Sequence, residues 1–291
     1  MQAVIVNGVF VGLIYGLLGV GLVVVYRGSR VVNFAYGETG MLAAFVYADV
    51  RFGHSALSSS DRGLTIALPA ALVVAVALGA ATEVTVARPL RDAPRIRPLV
   101  GTFAVATLID TFAVRRWGTG IRFTKPLIDG NGVRFLGVRI QPEQLLILAA
   151  SIVLIGGLWA LYNFTSFGLR LRATAMDPYA AGLTGVNVNR TSTATWAIAG
   201  ALSGISALLI APLVAFNVFF MTTLMIRGLA AALVGGLTSF SGAFTAGVLI
   251  GVAEGVIAYK SPVPGVTDAA VAGFVVLLML VRPGGLVRAS Y

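Results

Sequence analysis

A chain of 291 residues that is 58% hydrophobic, only 11% charged and at +0.93 in mean hydropathy has too few polar groups to clothe a soluble domain, and reads as a polytopic membrane protein. The formal charge of +10 would point to nucleic acid in a soluble protein. Here the arginines lie mainly between apolar runs, where they orient the chain in a bilayer and attract anionic headgroups, so no nucleic-acid partner is expected.

Val4 to Tyr26 is an uncharged apolar run long enough to cross a hydrocarbon core of roughly 30 Å at about 1.5 Å per residue. No basic stretch precedes it and no small-residue cleavage site follows it, so it reads as a span and not as a signal peptide. The positive-inside rule then puts the N-terminus outside and Arg27 and Arg30 in the cytoplasm. Gly8, Gly12 and Gly16 recur every fourth residue and make a smooth helix face that another backbone can approach.

The next segment, Val31 to Val50, begins V-V-N-F-A-Y-G-E-T-G, with Gly37 and Gly40 bracketing Glu38 and Thr39. This predicts a break at the start of the segment, and broken helices at depth line substrate paths in transporters. Asn33, Tyr36, Glu38 and Thr39 are therefore candidates for the path, against the alternative of a break in the interface with Glu38 solvated. The polar loop from Arg51 to Arg62 holds His54, the one histidine, which is read as solvated. Leu64 to Ala87 crosses back, with Glu83 near its inner end, and R-P-L-R-D-A-P-R-I-R-P follows as a cytoplasmic loop kept from helix by its prolines.

Leu99 to Val114 is a shorter span carrying Asp110, a costly acid in lipid that must face the bundle or a cation. From 118 to 144 the chain is polar, and the alternation in V-R-F-L-G-V-R-I predicts an external β-hairpin turning at Asp129 to Gly132. Leu145 to Tyr162 returns the chain to a cytoplasmic loop, 163 to 193. Within it, Thr165 to Arg190 reads as two short helices joined at Asp177, which caps the second, with Pro178 at its first position and Gly185 as its stop.

Ala194 to Phe216 crosses again, with small residues at Gly200 and Gly204. Gly228 to Ala258 is apolar on both sides of a break at Thr238 to Gly242, too long for one span, so a hairpin or re-entrant pair is expected. Gly236, Thr238 and Ser241 at that break, and Glu254 beyond it, join the path candidates. Gly247, Gly251 and Gly255 form another smooth face, and Val266 to Val281 is the last span. The fold class expected is all-α, a single permease domain over 1–291 with roughly eight to nine transmembrane helices, some discontinuous or re-entrant.

No phosphate-binding G-x-x-x-x-G-K-[ST] motif, no H-E-x-x-H and no cysteine is present, so neither ATP hydrolysis nor zinc chemistry is expected of the chain itself, and no cofactor or metal. Serines 203 and 206 lie in small-residue faces with no histidine base, so a catalytic constellation is missing and the chain reads as a transporter subunit or channel rather than an enzyme.

N-F-A-Y-G at Asn33 to Gly37, the stretch from Phe167 to Val188, L-V-G-G-L-T-S-F-S-G-A at Leu233 to Ala243, and a closing R-P-G-G-L occur in this order. Together they resemble the permease subunits of branched-chain amino-acid ATP-binding-cassette importers, of the type whose gene sits beside a second permease, and the resemblance spans essentially the whole chain. It implies a multi-pass protein of the bacterial or archaeal inner membrane that works by alternating access with two ATPase subunits, a second permease in a heterodimer and an external substrate-binding protein. It also implies coupling to the ATPase through Gly168, Arg170, Arg172, Ala173, Asp177, Pro178, Ala180, Ala181 and Gly185. Family members commonly carry histidine where Tyr36 stands, so that motif does not report the substrate. The alternative is an ion- or proton-coupled secondary transporter or channel, in which Glu38, Asp110 and Glu254 would carry the ions.

Overall fold

Apolar runs of this length satisfy their backbone in lipid only as α-helices or closed barrels, and the helical solution is the one adopted. The computed structural model describes residues 1–52, 63–94, 96–128, 130, 132–135, 138–214, 217–261, 263 and 265–281. In chain order the helices are α1 (Gln2–Ser29), α2 (Tyr36–Phe52), α3 (Leu64–Thr82) with a π-helical turn at Glu83–Ala87, and α4 (Ile96–Trp117). A strand pair follows, β1 (Val133–Phe135) and β2 (Val138–Ile140). The chain then continues as α5 (Pro142–Phe164), α6 (Ser166–Met176), α7 (Pro178–Leu183), α8 (Val188–Ile210), α9 (Phe220–Gly235), α10 (Phe240–Lys260) and α11 (Val266–Val281). Among the described residues six helices are long and apolar enough to cross a membrane, and Phe220–Gly235 and Val266–Leu277 are shorter apolar helices. The all-α polytopic class expected from composition is what forms.

Several boundaries differ from the sequence expectation. The predicted break between Gly37 and Gly40 is absent: α2 runs unbroken from Tyr36, and the interruption lies upstream, where Arg30 adopts a left-handed φ of 56°. The fourth helix starts at Ile96, not Leu99, because Pro98 sits in its first turn, where a missing N–H costs nothing. The strands pair with Val133 opposite Ile140 and Phe135 opposite Val138. The pairing thus lies beyond the expected turn at 129–132, and residues 129, 131, 136 and 137 lie outside the described residues. The apolar stretch from Gly228 resolves into the end of α9 and most of α10, joined by a tight turn with Gly236 at φ 92°. His54 and the R-P-G-G-L segment lie outside the described residues.

The described residues gather into two compact units. The first comprises Met1–Val23, Pro126–Leu154 and Thr223–Tyr291, the second Val24–Lys125 and Ile155–Thr222. In the first, the smooth faces of α1 and α10 meet. A Cβ at Gly12 would lie 2.7 Å from Val248 Cα, and one at Gly251 would lie 2.4 Å from Gly12 Cα, so the two backbones touch with no side chain between them. Tyr15, Ala231, Val234, Ala246 and Ile250 close the core around this seam.

In the second unit α2 is enclosed by α3, α4 and α8. It buries residues on every side, among them Met41, Phe45 and Tyr47, which is why a 17-residue helix of modest apolarity survives there. The stripe Ala67, Ala71, Ala75 and Gly79 of α3 packs on α8, whose Gly200 would place a Cβ 2.3 Å from Ala75 O. The outer faces of α3 and α4 expose Ile66, Val73, Phe103, Leu108 and Phe112, as lipid-facing helices do.

Candidate functional site

The start of α2 holds four of the sequence-predicted residues, and the structure separates them by role. Asn33 Oδ1 accepts from Ala35 N at 2.9 Å and so caps the turn into α2, while Thr39 donates back to Ala35 O at 2.8 Å. Both are satisfied locally. Tyr36 is buried with no partner for its hydroxyl, although its backbone carbonyl accepts from Ser203 Oγ. Glu38 is 3% exposed; its Oε1 accepts from Thr222 Oγ1 at 2.8 Å and its Oε2 has no donor. Asp110 of α4 lies within electrostatic reach of Glu38, and its Oδ1 is likewise buried without a donor. In the sequence these two acids stand 72 positions apart on separate spans, and the packing of α2 on α4 brings them together.

Glu254 belongs to another arrangement. In the first unit Arg227 Nε donates to Glu254 Oε1 at 2.6 Å, Tyr15 OH donates to Oε2 at 2.8 Å, and Arg227 Nη2 donates to Asp268 Oδ1 at 2.6 Å. All of this lies within α1, α9, α10 and α11, so Glu254 meets a cation and a hydroxyl inside the first unit. Sequence reasoning misses Arg227, although a single arginine inside L-M-I-R-G-L-A-A-A-L is itself a signal for a buried counter-ion. Gly236, Thr238 and Ser241 sit at the α9–α10 turn. There Ser239 caps α10 by accepting from Gly242 N at 3.0 Å, and Ser239 and Ser241 hydroxyls lie 3.4 Å apart.

The corner from α5 into α8 is built by caps. Thr165 accepts from Gly168 N at 3.2 Å, and Gly168 is buried so tightly that a Cβ would lie 2.1 Å from Tyr162 O. Asp177 ends α6 and caps α7, accepting from Tyr179 N at 2.9 Å and Ala180 N at 3.0 Å. Gly185, at φ 85°, closes α7 with Gly185 N bonded to Gly182 O and Val186 N to Ala181 O, the paired bonds of a Schellman stop. Arg172 and Arg27 lie over the Tyr162 ring at 5.5 and 4.5 Å, so Arg172 is held against the fold, whereas Arg170 is exposed. Of the other coupling candidates, Ala181 is buried, Ala173 half-buried, and Asp177, Pro178 and Ala180 exposed. Leu169, Met176, Tyr179 and Leu183 also stand in the open, an apolar set inside the same stretch but not among the coupling candidates.

A second cluster goes unassigned by the sequence. Glu83 is fully buried at the π-helical turn, where Arg88 Nη2 reaches Oε2 at 2.7 Å, Thr193 Oγ1 donates to Oε2 at 2.8 Å and Arg91 Nη2 approaches Oε1 at 3.5 Å. Arg91 also donates to Asn189 Oδ1 at 3.0 Å, and a cleft of about 520 Å³ opens beside Arg88, Asn187, Asn189, Arg190 and Thr193. The π-turn and the start of α8, just beyond α7, are thereby tied together. Glu83→Ala, which strands Arg88 and Thr193, is expected to destabilise the protein by about 2 kcal/mol, below the figure for fully buried pairs because Arg88 is partly solvated. Glu83→Gln, able to keep the Thr193 bond, should cost less, and thermal unfolding in detergent measures both.

Among the described residues no group of three or more histidines or acids is placed to hold a metal ion. What stands out is a helical membrane protein with two acids on packed helices that lack a cation among the described residues, an ion-pair cluster around Arg227 and a capped helix pair between α5 and α8. The profile of the branched-chain amino acid transport system permease component family matches residues 4–281. The chain belongs to that family. This permease is 29% identical to the high-affinity branched-chain amino acid transport system permease protein BraD of Pseudomonas aeruginosa, over 97% of the permease and 94% of BraD. It is 25% identical to LivH of Escherichia coli over 96% and 93% of the two chains, and 27% identical to a probable LivH of Methanocaldococcus jannaschii over 84% and 76%. No solved structure gives a match. The permease is a multi-pass inner-membrane transport subunit and not an enzyme, in agreement with the importer reading of its motifs.

Proposed function

We propose that this permease carries branched-chain amino acids, or amino acids closely related to them, through the membrane by alternating access. It works with two ATPase subunits, a second permease and an external binding protein. The observation that carries the reading is similarity running end to end with permeases named for that transport. The chain acts as one permease domain, with the hairpin of 118–144 outside and the loop of 163–193 in the cytoplasm. The acids at Glu38 and Asp110 belong to the path, while Glu254 braces the helices around Arg227.

The pair α6 and α7 is the docking surface for an ATPase. Short capped helices presenting exposed apolar side chains suit a groove in a partner, and Leu169, Met176, Tyr179 and Leu183 supply that face. Tyr179→Ala and Gly185→Val are expected to uncouple ATP hydrolysis from uptake, the first by removing a contact worth about 2 kcal/mol, the second by straining a left-handed position. Binding-protein affinity for substrate should not change. Vesicles holding the complete transporter provide the test: leucine uptake requires both ATP and the binding protein. Uptake by this chain alone under a proton gradient would overturn the reading in favour of a secondary transporter.

A further inference from the structure

A carboxylate taken out of water needs a cation, several donors or a proton. Three acids associated with the apolar helices meet that need within the protein. Glu83 has Arg88, Arg91 and Thr193; Asp49 has Arg116, Arg122 and the Trp117 indole; Glu254 has Arg227 and Tyr15. Glu38 and Asp110 do not. Among the described residues no arginine or lysine pairs with either, Glu38 has one hydroxyl donor for two oxygens, and each acid keeps a buried oxygen with no partner. The two lie within electrostatic reach of one another on the packed helices α2 and α4, with Thr222 bonded to Glu38 and the unpartnered Tyr36 hydroxyl in the first turn of α2.

We propose that Glu38 and Asp110 together receive the ammonium group of the transported amino acid, with Thr222 holding Glu38 in place. The proposal rests on the amino-acid reading given above. An α-ammonium brings one positive charge and three N–H donors, and the pair offers two carboxylates whose free oxygens lack both. A dehydrated divalent metal fits less well, since two acids and one hydroxyl fall short of the six or more oxygen ligands such an ion takes. The arrangement also accounts for the contrast with Glu254: an acid already neutralised by Arg227 has no charge left for a passing substrate, whereas an acid without a cation attracts one and releases it when the path opens.

The test uses the complete transporter in vesicles. Wild-type protein must first show ATP-driven leucine uptake; if it does not, the functional reading fails and the acid pair is not reached. Given that uptake, Glu38→Gln, which keeps side-chain volume and can still accept from Thr222, and Asp110→Asn are each expected to lower it roughly tenfold or more. Assembly with the ATPases and leucine affinity of the binding protein should be unaltered. The second readout is direct binding to the assembled permease without its binding protein, leucine competing against 4-methylpentanoate, which has the same branched chain and no ammonium. Wild type should prefer leucine, and in both variants that preference should fall towards parity. Uptake within about twofold of wild type in both variants, or an unchanged preference, overturns the proposal. So does proton uptake that accompanies leucine in wild type and is lost in the variants, because the pair would then be a proton site.

Discussion

Arg227→Met is expected to destabilise the protein by about 3–5 kcal/mol, the largest loss foreseen for any single side chain. The substitution keeps much of the volume but leaves Glu254, 8% exposed, with a tyrosine hydroxyl as its sole remaining partner in the trio, and leaves Asp268 without its cation. Glu254→Gln should cost far less, about 1–2 kcal/mol, since it keeps the Tyr15 contact and leaves Arg227 paired with Asp268. The asymmetry separates an ion-pair brace from simple packing, for which the two substitutions would cost similar amounts. Arg227→Met combined with Glu254→Met should recover part of the loss, because no buried charge is then uncompensated. A double-mutant cycle on equilibrium unfolding in bicelles measures all three, and a cost below about 1 kcal/mol for Arg227→Met would remove the brace from the account.

The second large effect concerns the seam of α1 and α10. Gly251→Ala adds one methyl, yet that carbon would lie 2.4 Å from Gly12 Cα and 2.5 Å from Gly8 O. Those are backbone atoms of a helix, which cannot rotate away as a side chain can, so the helices must part along the seam. We expect a cost of about 3 kcal/mol, at the upper end for overpacking, and more for Gly251→Val. Gly157→Ala in α5 meets nothing within 4 Å and should be neutral or stabilising by up to about 1 kcal/mol, through lower chain entropy and better helix propensity. Opposite signs for one substitution type at two helical glycines can be read by thermal unfolding, and like signs would mean that the seam is not in backbone contact.

The corner at Asp177 is legible in the amino-acid sequence because a cap is a local device. The aspartate, the proline after it and the glycine that closes the second helix carry all the information needed, and each occupies the predicted place. The start of α2 misleads for the opposite reason. Gly37 and Gly40 look like helix breakers in isolation, but Gly40 lies where Ser203 of α8 presses on the helix, so its small size serves packing and the helix continues through it. The loop at Arg88 is half legible: its arginines mark it as one of the basic connections, but nothing nearby in sequence shows that Glu83 turns inward with Thr193 to hold two of them.

Composition, hydropathy and residue spacing are therefore sufficient for the class of protein, for most helix positions, for the two glycine faces and for the capped pair, since each depends on neighbours within about two turns. Partnership between distant residues is settled by packing. The faces at Gly8 to Gly16 and Gly247 to Gly255 prove to be one seam. Glu254 finds Arg227 27 positions away and Tyr15 239 away, while Glu38 finds Thr222 at a separation of 184. A carboxylate in an apolar run carries the same local signature whether a cation waits for it or not. Only when helices pack does one acid gain a cation and a hydroxyl while another keeps an open oxygen, because that outcome depends on which distant side chains the fold brings within reach.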